Sequence, residues 1–159
     1  MTEEEQEQVK RKMRGAQSNA LGHWFEQEIM RVCEYYRKTG GAFIEKTPEN
    51  FRVLSKQRDG RFSGRFVGNA QPDFKGTLKG GRAIVFDAKF TTKDRIEQSV
   101  LTDAQTKALE THHQLGALAG VCVGMKSGIY LIPWQTWRDM KEIFGRKYMT
   151  ETELSCYKF

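Results

Sequence analysis

Four consecutive apolar residues, Ala83-Ile84-Val85-Phe86, run directly into Asp87-Ala88-Lys89. A short continuous apolar run reads as a strand buried on both faces. Residues i and i+2 of a strand share a face, so Asp87 and Lys89 point the same way. Charges at the end of a buried strand are costly unless they have partners. A partner is within reach. Residues 70–78 read as a second strand, and Lys79-Gly80-Gly81 as the tight turn between the two, because both central residues of a type I′ turn need positive φ. That hairpin brings Asp73, in Pro72-Asp73, alongside Asp87.

Two carboxylates at one site repel each other, and a hard divalent cation with oxygen ligands relieves the repulsion. The chemistry that needs this set is phosphodiester hydrolysis. Mg²⁺, with Mn²⁺ as a substitute, held by Asp73 and Asp87 would polarise the phosphate and lower the pKa of a water. The backbone carbonyl of Ala88 is a further candidate ligand. Lys89 suits orienting the water or lying against the developing negative charge. The competing reading of the same residues is a plain salt bridge between Lys89 and one carboxylate at the sheet edge.

The rest of the 159-residue chain fits one α/β domain over residues 1–159, soluble at 38% hydrophobic and 29% charged content. Thr2-x-x-Glu5 is a capping-box pattern, with acids early and Lys10, Arg11, Lys12 and Arg14 late, so residues 2–14 read as a helix. This segment, 1–15, is either a solvated helix or an arm that touches phosphate. Leu21, Phe25, Ile29, Val32 and Tyr36 recur at helical spacing and predict a helix from 18 to 38, ending at Gly40-Gly41. Ala42-Phe43-Ile44 is a short strand, broken at Thr47-Pro48. Between 51 and 68, Arg52, Lys56, Arg58, Arg61 and Arg65 stand against the single acid Asp59, a local charge of +4, with Phe51, Phe62 and Phe66 interleaved. This stretch reads as a projecting hairpin or loop. A helix over 102–115, strands over 118–125 and 129–132, and a last helix from Pro133 to about Phe144 complete the expectation.

Other features exclude more than they assign. Cys33, Cys122 and Cys156 form no CxxC pair, and His112-His113 would point about 100° apart on a helix, so neither a disulfide framework nor a zinc site is expected. No apolar run approaches the roughly 20 residues of a membrane span, and the charged N-terminus has no apolar signal core, which points to a cytoplasmic protein. The net charge of +6 favours a polyanionic partner.

The run QPDFKGTLKGGRAIVFDAKFTT, residues 71–92, resembles the core of the RecU-type Holliday junction resolvases of bacteria and their phages, within the PD-(D/E)xK nucleases. Asn19 to Glu26 resembles that family's first-helix pattern, and Lys46-Thr47-Pro48 resembles the lead into its central stalk. Gln105 falls where the family carries a helix glutamine, and Gly116 to Gly124 resembles the strand behind it. The resemblance implies a restriction-endonuclease-like mixed sheet flanked by helices, a homodimer, and paired incisions across a four-way DNA junction. It carries Asp73, Asp87 and Lys89 over as metal ligands and catalytic lysine, Glu26 as a supporting acid and Gln105 as a residue behind the site. Segment 51–68 falls where the stalk enters the junction centre. The family usually has Glu where this chain has Asp87, has a hydroxyl residue in place of Pro72, and shares no stalk sequence with it. Helical periodicity by itself would favour Glu28 over Glu26 as the buried acid. Other branched or duplex DNA, or a catalytically silent DNA-binding module, remain the competing readings.

Overall fold

The chain begins with one helix where two were expected. In the computed structural model, which describes residues 2–66, 68 and 71–159 without the side chain of Phe66, α1 spans Glu3–Thr39, 37 residues. At 1.5 Å per residue it is about 55 Å long. The Thr2 capping box closes its start, with Glu5 N donating to Thr2 Oγ1 at 3.2 Å and Thr2 N donating to Glu5 Oε2 at 2.7 Å. Gly40, at φ 73°, ends it. Gly15 does not divide it, because a glycine in an exposed helix interior costs only about 1 kcal/mol and no proline follows. Residues 2–20 are exposed throughout, and the apolar face settles on the core only at Phe25, Ile29 and Cys33.

The remaining elements in order are β1 (Ala42–Lys46), β2 (Phe51–Lys56), β3 (Phe62–Phe66), β4 (Phe74–Leu78), β5 (Ala83–Phe90), β6 (Arg95–Glu97) and α2 (Asp103–Gln114). They continue with β7 (Leu118–Met125), β8 (Gly128–Pro133), α3 (Trp134–Arg138), α4 (Met140–Phe144), β9 (Tyr148–Thr150) and α5 (Glu151–Leu154). The central sheet has the order β1-β4-β5-β7-β8, with β5 and β7 parallel and the other pairs antiparallel. This is the mixed α/β, restriction-endonuclease-like arrangement. Successive residues of the middle strands feed opposite layers. Ile84, Phe86 and Cys122 pack with Phe25, Ile29 and Cys33 of α1, while Val85, Val121 and Val123 pack with Leu109 of α2 and Trp134 and Trp137 of α3. Two covered faces explain why β5 carries an unbroken apolar run.

Several expectations shift. The strand expected from residue 70 begins at Phe74, because Pro72 has no N–H to give a ladder; Ala70 lies outside the described residues. The last helix breaks at Asp139 into α3 and α4. The small β6–β9 sheet and α5 were not expected at all. Among the described residues no helix is long and apolar enough to cross a membrane.

Within the 51–68 segment, β2 and β3 form an antiparallel hairpin, with β2 exposed throughout and Val67 outside the described residues. The ring of Phe51 lies over Gly64, where a Cβ would meet it at 2.6 Å, and sits edge-on to Phe62 at 5.7 Å. Gly124 has a similar role in the core. A Cβ there would stand 2.5 Å from the Phe25 ring and 2.7 Å from the Phe90 ring. Gly124→Ala should therefore destabilise the protein by about 1–3 kcal/mol through overpacking. Urea unfolding followed by tryptophan fluorescence measures this, and an unchanged midpoint would mean that the rings shift freely.

Candidate active site

The regular pairing of β4 with β5 stops at Phe74 opposite Phe86. The next two residues in line are Asp73 and Asp87, and their side chains take over from the ladder. Asp73 N donates to Asp87 Oδ1 at 3.3 Å, and Ala88 N donates to Asp73 Oδ2 at 2.9 Å. Each carboxylate thus grips the backbone of the opposite strand. On the outer side, Thr47 N donates to Asp73 O at 2.7 Å and Thr47 Oγ1 donates to Pro72 O at 2.6 Å, fixing the approach to Asp73. An extended residue sends its N–H and C=O toward the same side, so the Ala88 carbonyl also faces the Asp73 edge.

Asp87 is 0% exposed, and its Oδ2 has no hydrogen-bond partner among the described residues. Burial, and then the charge of Asp73, push its carboxyl up to about 7. Burial likewise raises Asp73, against the Ala88 N–H and the nearby Lys89 charge, which lower it. A buried acceptor without a donor is costly, and in native proteins such atoms call for an unplaced water or ion. The donor set at this point is all oxygen: two aspartates and a main-chain carbonyl. It fits a hard divalent cation such as Mg²⁺ or Mn²⁺.

Lys89 stands on the same face of β5 as Asp87. Its Nζ donates to Gln105 Oε1 at 3.2 Å. That oxygen also accepts from Thr102 N at 3.0 Å, while Gln105 N donates to Thr102 Oγ1 at 3.2 Å. The capping box of α2 therefore fixes the acceptor that holds the lysine. The Thr102-x-x-Gln105 pattern was present in the sequence and could have shown this link. Glu26 approaches from α1 closely enough for its charge to act on Asp73. It is ion-paired with Lys46, a site neighbour that sequence reasoning missed as such. Glu28 turns away to Arg31 at 2.9 Å. Among the described residues no three His, Cys, Asp or Glu side chains converge as metal ligands, so the candidate set is Asp73, Asp87 and the Ala88 carbonyl.

The candidate DNA-contacting residues do not join this cluster. Arg52, Lys56, Arg58, Arg61 and Arg65 are exposed on the β2–β3 hairpin, Arg61 beside Asp59 at 3.4 Å. Phe62 is 58% exposed at the same hairpin, and the side chain of Phe66 lies outside the described residues. Lys10, Arg11, Lys12 and Arg14 are exposed on the projecting part of α1, Arg11 beside Glu7 at 3.7 Å.

The arrangement has relatives. Among solved structures, the chain is similar to Hjc, a Holliday junction resolvase from the archaeal hyperthermophile Archaeoglobus fulgidus, with a TM-score of 0.53 over 86% of this chain and 88% of that one. At 14% identity the likeness is one of fold. No curated protein sequence matches the chain. A family model described as recombination protein U matches residues 20–159, from the core-packed part of α1 through both site strands to the C-terminal residue. The chain therefore belongs to the recombination protein U family, RecU, whose motif its 71–92 run resembles.

Proposed function

We propose that this chain is a divalent-metal-dependent endonuclease that resolves four-way DNA junctions by hydrolysing phosphodiester bonds. The observation that carries the proposal is the fully buried Asp87, with one carboxylate oxygen unpartnered, set against Asp73 at the mouth of a hairpin. Asp73, Asp87 and the Ala88 carbonyl hold the cation. A bound cation supplies charge against the scissile phosphate and a more acidic water. Lys89, steadied by Gln105, presents its ammonium to the phosphate or to the attacking water. Glu26 sets the charge behind Asp73 and is itself balanced by Lys46. The basic β2–β3 hairpin serves as a stalk that meets the phosphates gathered at a junction centre. Two copies about a two-fold axis put one centre on each of two opposing strands and so make paired incisions. Residues 1–159 act in this as one nuclease domain.

The direct test is incubation with Mg²⁺ and a mobile four-way junction, a flap, a linear duplex and a single strand. Wild type should cut the junction in preference to the others. Asp73→Asn or Asp87→Asn should lower cleavage by more than roughly tenfold while leaving junction binding intact or tighter, since a charge that repels phosphate is removed. Cleavage close to wild type in either variant would reject the assigned site.

The raised Asp87 carboxyl makes stability depend on pH. Its folded value, about 7, lies above its unfolded one, so the protonated form is favoured in the fold. Its stabilising contribution is complete below the unfolded value and is lost as pH rises through about 7. Metal-free protein should thus melt at lower temperature at pH 8 than at pH 6. Mg²⁺, which takes the ionised form, should raise the melting temperature more at pH 8. Thermal melts with and without Mg²⁺ measure both, and Asp87→Asn should flatten the difference.

Neutralising Arg52, Lys56, Arg58, Arg61 and Arg65 together should shrink the preference for junction over duplex and make the salt dependence of junction binding shallower. Far-ultraviolet circular dichroism should stay unchanged. Unaltered selectivity would make the hairpin a surface insertion only.

A further inference from the structure

We infer that the groove between the projecting half of α1 and the segment after β5 is a subsite for the cleaved DNA strand, holding a phosphodiester a few nucleotides from the scissile bond. The inference rests on the nuclease reading above and adds to it a place where the strand runs.

The α1 wall of the groove is Arg14, Gln17, Ser18 and Leu21. Their spacing of i, i+3, i+4 and i+7 puts them on one helical face. That face continues at Phe25 and Ile29, which are buried against the sheet. It is apolar where it covers the sheet and turns polar and cationic toward the helix start. A face that merely met solvent would have no opposing wall. Here Phe90, Thr91, Thr92 and Lys93 close the other side and leave a cavity of about 320 Å³.

The lining has the chemistry of a phosphate contact. It contains no carboxylate. Among the described residues neither Arg14 nor Lys93 has an ion-pair partner, as is true of Lys10 and Lys12 on the same helix, whereas Arg11, Arg31, Arg37 and Lys38 are paired. Thr91 Oγ1 accepts from Lys93 N at 3.1 Å, which turns the segment and leaves the Thr91 hydroxyl proton free to donate outward. Arginine, lysine, hydroxyls and amides are the side chains that grip DNA phosphates. Leu21 and Phe90 form an apolar floor suited to a deoxyribose. Trp24 braces that floor, edge-on to Phe90 at 5.7 Å and itself 51% exposed.

The position fits a strand leaving the metal site. Phe90 follows Asp87 by three residues on β5, about 10 Å along the strand. Phe90 faces the α1 layer, so the groove lies on the Glu26 side of the site, within a few nucleotides' reach of the carboxylates.

The test compares wild type with Arg14→Gln/Lys93→Gln and with a charge-matched control, Lys38→Gln/Lys79→Gln, at the opposite ends of α1 and the hairpin. Junctions carry one neutral methylphosphonate at each position in turn around the mapped cleavage site. In Ca²⁺, which is used to permit binding without cleavage, wild type should lose about fivefold in affinity at one or two positions within a few nucleotides of the cut, the scale of one exposed charge contact. The groove variant should already lack that affinity and lose nothing further there, a non-additive pair. Its salt slope should fall by about 0.9 for each phosphate lost, and the control should keep the positional effect. Methylphosphonate losses that are equal in wild type and groove variant, with wild type still cutting junctions, would overturn the subsite and leave the nuclease reading standing. A wild-type chain that cuts none of the DNAs would overturn both.

Discussion

The structure turns on how the β4–β5 hairpin ends. Backbone pairing runs out at Phe74 and Phe86, and two aspartate side chains finish it by bonding to the N–H groups across the gap. Asp87 is fully buried and Asp73 half-buried, so their charge is poorly dispersed into water. The sheet order, the packing of α1 and the cap of α2 all converge on this spot. The site is therefore a clasp of the fold as well as a place for chemistry. Its ionic strain is borne by the same residues that hold two strands together.

Such an arrangement accounts for the separation of duties around it. Asp73 and Asp87 are fixed by main-chain donors, so their geometry does not depend on any flexible partner. Lys89 is steadied at a distance by Gln105, whose position is fixed by its own helix cap. Glu26 comes from a third element and is neutralised by Lys46. Asp87, Lys89, Glu26 and Gln105 lie on strands or helices, while Asp73 stands one residue before β4 and is tied down by Thr47 and Ala88. Sites on rigid elements keep their geometry better than sites on loops.

Much of this is legible in the amino-acid sequence. The apolar run of β5 was visible because both faces are covered, and a strand in that position has no choice of composition. The Gly80-Gly81 turn then fixed which carboxylate would meet Asp87. The helix start at Thr2 and its end at Gly40 follow from capping chemistry that acts within four residues. What stayed hidden depends on tertiary context. The α1 helix continues through residues 15–20, Gly-Ala-Gln-Ser-Asn-Ala, where no large apolar residue marks a period; Ala16, Gln17 and Ala20 favour helix and no proline interrupts it. The strands β6 and β9 are three residues each, too short for any pattern. Glu26 and Glu28 are separated by about 200° of helix, and only the placement of α1 on the sheet decides that Glu26 faces Asp73.

The unbroken run of α1 has a mechanical consequence. Arg14 and Glu26 lie on one rod, twelve residues and about 18 Å apart. Only the half that carries Phe25, Ile29 and Cys33 is clamped. Force on the free half is not absorbed at a hinge, since there is none between Glu3 and Thr39. It passes as torque to the clamped half, where Glu26 and its lysine sit beside the carboxylates. A load taken up by the far end of this lever is felt at the site as a tilt, without any intervening loop to soften it.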